Sequence, residues 1–163
     1  GHAALRENYY LDDGAYLMTK IIIKLAQMGK EGKTLESLID DLQDPKEAKE
    51  FRFKIIPEDF KSYGEKVIGD LEKFAEKAEG WRTADDNREG IRVYFDKNEG
   101  DGWFLLRLSV HDPIMPLNIE SDSEGGVKII AEKISAFLKG YDGLDISNIL
   151  SFILKNLYLK EME

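Results

Sequence analysis

The sequence lacks cysteine and is poor in histidine. Among its 163 residues there is no cysteine, and the two histidines are His2 and His111. Without cysteine, the chain cannot form disulfides, ligate an iron–sulfur cluster or a cysteine-type zinc site, or use a thiol nucleophile. A multi-histidine metal site would need both histidines, and a Ser/His/Asp triad has little support.

Positive charge and long apolar runs are also scarce. Lys and Arg number 23 against 32 Asp and Glu, which gives a formal net charge of −9 and argues against a general nucleic-acid binder. Apolar runs such as 21–23 fall far short of the ~20 residues of a membrane-spanning helix, and residues 1–6 lack the apolar core of a secretion signal. Four prolines and 42% apolar residues predict a packed, soluble protein, most simply of a reducing compartment.

The first region, residues 1–45, shows two helical patterns. Apolar residues recur at helical spacing over 15–25, directly after Asp12-Asp13, which suit a helix N-terminus. Thr34 predicts the cap of a short second helix, closed by Pro45. Two helices are too little for an independent core, so we expect them to be the end of a larger domain that continues upstream of Gly1.

The second region, residues 46–140, predicts a sheet with helices packed on it. Residues 50–56 alternate between apolar and charged types, as in a half-buried strand, and a long helix follows from Pro57 to near Gly80. Three strand candidates come next, at 90–95, 103–109 and 114–119. A helix capped by Ser123 ends the region. This order indicates an α+β fold with an antiparallel sheet.

The third region, residues 141–163, predicts one more amphipathic helix, capped by Asp145. We expect it to pack on its own chain, as terminal amphipathic helices usually do, with a partner-binding helix as the alternative. The acidic run 40–44 is interpreted as a solvated face rather than a metal site.

The residues richest in chemistry are those of segment 107–113. Arg107, Ser109 and His111 follow a strand, and the next strand begins after Pro113. A guanidinium, a hydroxyl, an imidazole and free backbone N–H groups are the donors that hold a phosphate or sulfate. The alternative is that Arg107 pairs with a neighbouring acid and that His111 is a turn residue.

Several segments carry a family resemblance. The first segment is similar to the end of a G-E-M-S-G-H motif that is followed by D-D-G and an apolar helix. The second is similar to a D-G-hydrophobic-hydrophobic motif that is followed by W-hydrophobic-L-R-x-S and a proline. The matching residues are Gly1-His2, 11–14, 90–93, 102–109, Pro113, Glu120 and the helix 125–139. Over about residues 1–140, the chain resembles the C-terminal part of an α-D-phosphohexomutase, of the phosphoglucomutase/phosphomannomutase superfamily.

The resemblance implies a part of a cytoplasmic enzyme with four domains around a cleft. Residues 1–45 would be the end of the third, α/β domain, 46–140 the fourth, TATA-binding-protein-like domain, and 141–163 an extra helix. The parent would interconvert hexose 1-phosphate and 6-phosphate through a phosphoserine, Mg²⁺ and a hexose 1,6-bisphosphate intermediate. The phosphoserine and metal loops lie outside this sequence, so the chain alone is expected to be inactive. Its partners would be a phosphorylated hexose and the upstream domains, not nucleic acid or membrane.

The resemblance also assigns roles to individual residues. Arg107 and Ser109 match the arginine and serine of the phosphate loop, while Val110 and His111 stand where the family has Asn or Gly and Thr. His2 matches the histidine that follows the sugar-contacting residues. The family's second arginine, expected near Asn118, is missing. With the resemblance, phosphate binding is the favoured interpretation of the loop, and glucose, mannose and an N-acetylglucosamine derivative all stay open as the sugar.

Two rival hypotheses remain from the sequence. One is a non-catalytic α+β interaction module whose last helix binds a partner. The other is a structural domain that has lost ligand binding, which Val110 and the missing arginine would explain.

Overall fold

The computed structural model describes residues 4–160, with side chains up to Lys155. The chain divides between Asp44 and Pro45 into two compact units. The described part of the first unit contains helix α1, Gly14–Lys30, and two 3₁₀ turns, Arg6–Asn8 and Glu36–Leu38.

Helix α1 begins where the sequence predicts it. The Asp13 carboxylate accepts a hydrogen bond from the Tyr16 N–H at 3.0 Å, so Asp13 is the N-cap. Met28 is buried, but most apolar side chains of α1 are exposed by two-fifths or more. These are Met18, Ile21, Ile22, Ile23 and Leu25.

The prediction of a second α-helix in this unit is wrong. Instead of an α-helix capped by Thr34, the structure has the three-residue turn Glu36–Leu38. Leu38, Ile39 and Leu42 are all more than half exposed, so the apolar stripe has no surface to pack on. A helix this short is not stable without such packing.

The second unit contains one antiparallel sheet of six strands, in the spatial order β2-β3-β4-β5-β1-β6. The strands are β1 (Glu47–Ile55), β2 (Arg82–Thr83), β3 (Ile91–Phe95), β4 (Gly102–Leu106), β5 (Ile114–Ser121) and β6 (Leu144–Asp145). The four long strands overlap the predicted segments, and their ends differ from the prediction by up to three residues. The two-residue strands β2 and β6 were not predicted, because two residues carry no readable alternation.

Three helices cover one face of this sheet. They are α2 (Phe60–Ala75), α3 (Gly126–Leu138) and α4 (Ser147–Lys160). Alternate residues of the strands, such as Phe53, Phe104 and Leu117, are fully buried and form one apolar cluster with side chains of all three helices. The predicted α+β class with an antiparallel sheet is therefore confirmed. No helix in residues 4–160 combines the length and the hydropathy needed to cross a bilayer.

Helix α2 starts later and ends earlier than predicted. Asp59, not Pro57, marks its start, because the Asp59 carboxylate accepts a hydrogen bond from the Ser62 N–H at 3.2 Å. The helix ends at Ala75, five residues before Gly80.

Helix α4 packs on its own chain. The Asp145 carboxylate accepts from the Ser147 N–H at 3.0 Å, as predicted for a cap. Ile146 and Ile149 are buried, and Phe152 makes an edge-on contact with Phe51 at 5.4 Å between ring centroids.

The start of α3 is held by a residue from the other end of the unit. The predicted cap, Ser123, does not cap this helix. Instead the carboxylate of Glu47, the first residue of β1, accepts hydrogen bonds from the N–H groups of Gly125 (2.7 Å) and Val127 (3.1 Å). A charge of this sign is favourable at a helix N-terminus, so Glu47 fastens α3 to the sheet.

We expect Glu47→Ala to lower the free energy of unfolding by about 1–2 kcal/mol, because two helix N–H groups lose their acceptor. Glu50→Ala is the matched control, since Glu50 lies on the same strand in an exposed ion pair with Arg52 and should cost well under about 1 kcal/mol. Urea unfolding of both variants measures the difference. Equal losses would show that Glu47 is not a cap.

Candidate functional site

The loop 107–113 joins β4 to β5 in the middle of the sheet. The Arg107 N–H donates to the Pro116 carbonyl at 3.1 Å, and the Ser109 N–H donates to the Ile114 carbonyl at 3.0 Å. Strand pairing thus continues beyond β4. However, Pro116 has no N–H, so it cannot donate the second hydrogen bond of the pair to the Arg107 carbonyl. The regular strand therefore ends at Leu106, whereas the sequence predicts its end at 109.

Further hydrogen bonds fix the shape of the loop. The Asp112 N–H donates to Ser109 Oγ at 3.3 Å, and the Ile114 N–H donates to the Asp112 carbonyl at 2.7 Å. The Pro113 carbonyl accepts from the Ile55 N–H at 2.8 Å, which ties the loop to the end of β1. The Ser109 hydroxyl accepts in this arrangement and keeps its own hydrogen for another acceptor.

The predicted site residues lie together at the surface. Val110 is 70% exposed and His111 is exposed, while Arg107 and Ser109 are partly buried. Among the described residues, nothing accepts a hydrogen bond from the N–H of Val110 or His111. The loop thus offers two backbone donors together with a hydroxyl and a guanidinium, which is a suitable set for an anion.

The alternative interpretation of Arg107 required an acid beside it. Within residues 4–160, no carboxylate oxygen lies within 4.0 Å of the Arg107 guanidinium nitrogens. The ion-pair interpretation therefore has no partner in this part of the chain. His111 does lie in a bend, so its interpretation as a turn residue agrees with the backbone.

Gly90 sets the position of Arg107 from the other side. The register of β3 and β4 pairs Ile91 with Leu106, so Gly90 lies opposite Arg107. Gly90 has φ +98°, and a Cβ there would clash with the Leu106 carbonyl oxygen and lie 2.8 Å from the Arg107 Cα. Only glycine allows the two backbones to approach this closely.

We expect Gly90→Ala to destabilise the protein by about 2 kcal/mol or more and to displace Arg107, because of both the positive φ and the backbone clash. Gly69→Ala is the matched control. Gly69 lies inside α2 with open space at its Cβ position, so this change should be neutral or stabilising by up to about 1 kcal/mol. Thermal unfolding and amide spectra check both; an unperturbed Arg107 region in Gly90→Ala would contradict the account.

Basic residues of β1 lie beside the loop and were not among the predicted site residues. Arg52 pairs in register with Pro116, and Lys54 pairs with Ile114. Lys54 also lies opposite Asp145. The pKa of the Asp145 carboxyl lies below its ordinary value, mainly because it accepts hydrogen bonds from Ser147 and to a smaller extent because of Lys54. The alternation in β1 places Arg52 and Lys54 opposite the apolar side chains, but it does not reveal their cross-strand neighbours.

A shallow pocket of about 300 Å³ is lined by Gly90, Arg92 and Leu105 among others. Its charged lining is balanced between two acids and two arginines, namely Asp86, Glu89, Arg88 and Arg92. Arg92 stacks over the Trp103 ring at 4.3 Å. This pocket therefore does not extend the cationic character of the loop.

The remaining site predictions concern His2 and metal binding. His2 lies outside the described residues. Asp40, Asp41 and Asp44 are exposed, as expected for a solvated face, and residues 4–160 contain no group of three side chains that could hold a metal ion.

Comparisons with known proteins agree with the fold. No family model matches the sequence, and no curated protein is similar to it in sequence. Among solved structures, a phosphoglucomutase/phosphomannomutase family protein from Burkholderia thailandensis matches with a TM-score of 0.55 and 22% identity. The match covers 86% of this chain but 26% of that protein. The likeness shows a shared fold, and this chain spans about a quarter of the length of that structure.

Proposed function

We propose that this chain is the phosphate-binding C-terminal part of a phosphohexomutase, an isomerase that interconverts hexose 1-phosphate and 6-phosphate. Two observations support the proposal. The fold matches a phosphoglucomutase/phosphomannomutase family protein over 86% of the chain. The loop that the sequence matches to that family's phosphate loop holds Arg107 with no acid beside it within the described residues, and this single observation carries the functional argument.

Under this proposal, each residue of the loop makes a different contact with the phosphate. The Arg107 guanidinium would bind the phosphate oxygens with two parallel hydrogen bonds, and the Ser109 hydroxyl would donate a third. The N–H groups of Val110 and His111 would complete the contact. The loop would hold the phosphate that does not react, so its contribution to the reaction is positioning rather than chemistry.

The reacting groups of the parent enzyme would come from its other parts. Residues 1–45 would be the end of the third domain, and 46–140 the fourth domain, in the cytoplasm. Mg²⁺ and a hexose 1,6-bisphosphate would act there, but residues 4–160 contain no ligand set for a metal. We therefore assign no metal-dependent step to this chain and expect it to be inactive alone.

The rival interaction module has less support. Its partner-binding helix would need a free apolar face, yet Ile149 is buried and Phe152 contacts Phe51. The structure uses these side chains of α4 for the unit's own core.

We expect glucose 6-phosphate and inorganic phosphate, at millimolar concentration, to shift the backbone amide signals of Ser109, Val110 and His111 in the ¹⁵N-labelled chain. Arg107→Gln should weaken binding about ten-fold, since a charged hydrogen-bond pair is lost. Arg82→Gln is the control, because Arg82 stacks over Tyr94 on the edge strand β2 and should bind as the wild type does.

Two results would contradict the proposed function. One is the absence of any shift in the loop at millimolar ligand. The other is equal binding by Arg107→Gln and the wild type.

A further inference from the structure

Two arginines flank one proline on the same face of the sheet. The register of β1 and β5 pairs Arg52 with Pro116, and the Arg107 N–H donates to the Pro116 carbonyl. Arg52, Pro116 and Arg107 therefore form one row across three neighbouring strands. Adjacent strands lie about 4.7–4.9 Å apart, so the two arginine Cα atoms are about 10 Å apart. Long side chains from these positions can reach one ligand above the proline.

This row lies on the face of the sheet opposite to α2, α3 and α4. Side chains alternate between the faces of a strand, and the neighbours Phe51, Phe53, Met115 and Leu117 all belong to the apolar cluster under the helices. Arg52, Pro116 and Arg107 consequently face the other way. Pro116 is buried between its neighbours and carries no hydrogen-bonding side chain, so it does not compete with the two guanidinium groups for their ligand.

The backbone and side chain of Arg52 are held in place. Its carbonyl accepts a hydrogen bond from Asn148 Nδ2 at 2.9 Å, which fixes the backbone against the start of α4. Its Nε donates to Glu50 Oε1 at 2.7 Å, and its side chain is 65% exposed. The two terminal nitrogens have no partner among the described residues, so they are available to a ligand.

We propose that Arg52 is the second guanidinium of the site, and that Arg52 and Arg107 together select the doubly charged phosphate monoester. This proposal rests on the proposed function, because it assumes that Arg107 binds phosphate. Two guanidinium groups bind a phosphate monoester dianion more tightly than a singly charged phosphodiester, because the diester offers fewer charged oxygens. Glu50 opposes binding, since its carboxylate lies on the same face beside Arg52.

The test compares affinities of inorganic phosphate, glucose 6-phosphate and dimethyl phosphate, measured by titration of the ¹⁵N-labelled chain. We expect Arg52→Gln to weaken binding of both dianions about five-fold and to reduce the preference for them over dimethyl phosphate. Glu50→Gln should act in the opposite direction and tighten dianion binding about two- to three-fold. Arg82→Gln is again the control, because Arg82 lies at the far edge of the sheet.

The outcomes separate this proposal from the proposed function. Loss of binding with Arg107→Gln but unchanged affinities with Arg52→Gln and Glu50→Gln would overturn the role of Arg52 and leave the proposed function intact. No binding by the wild type would overturn both. Weakening by both Arg52→Gln and Glu50→Gln would indicate disturbed structure rather than charge and would also overturn the role of Arg52. Weaker dianion binding by Arg52→Gln and tighter binding by Glu50→Gln, both with unchanged thermal unfolding, support the role of Arg52.

Discussion

The pairing of β1 with β5 is the constraint on which the rest of the second unit depends. Eight residue pairs connect these strands, from Glu47 with Ser121 to Lys54 with Ile114. Their inward side chains form the middle of the core, where Phe53, Met115 and Leu117 are fully buried. Because side chains alternate, a slip by one residue would expose this apolar set and turn Arg52 and Pro116 into the core. Packing of the core therefore fixes which face the cationic residues occupy.

The same strand also makes contacts with the starts of two helices and with the loop. Its first residue, Glu47, binds the N-terminus of α3, and its last, Ile55, holds the Pro113 carbonyl of the loop. Arg52, between them, is fastened to α4 by Asn148. The loop is thus hydrogen-bonded to the end of β1, and the backbone of Gly90, just before β3, lies close to Arg107. Under the proposed function, a loop held in this way would orient a phosphate for a reaction that takes place elsewhere.

Much of this fold is predictable from local pattern, while the contacts of the site are not. The alternation around Phe51 and Phe53 predicts β1 correctly, and Asp13 and Asp145 predict helix starts. Thr34 and Ser123 mislead, because capping preferences do not reveal whether a helix has a surface to pack on or a better acceptor elsewhere in the chain. Arg52 comes to lie beside Pro116 only through strand register, which joins residues more than fifty positions apart. The loop itself is found through its resemblance to a family segment. Its geometry depends on Pro116, and the sequence shows that Pro116 lacks an N–H. The sequence does not show that Pro116 pairs with Arg107.

A crystal structure of this chain with glucose 6-phosphate bound is the most direct test of the account. We predict that the phosphate lies above Pro116, within hydrogen-bond distance of the Arg107 guanidinium and the Ser109 hydroxyl, with Arg52 on its other side. A phosphate bound at another surface, or one held in the loop without contact to Arg107, would contradict it.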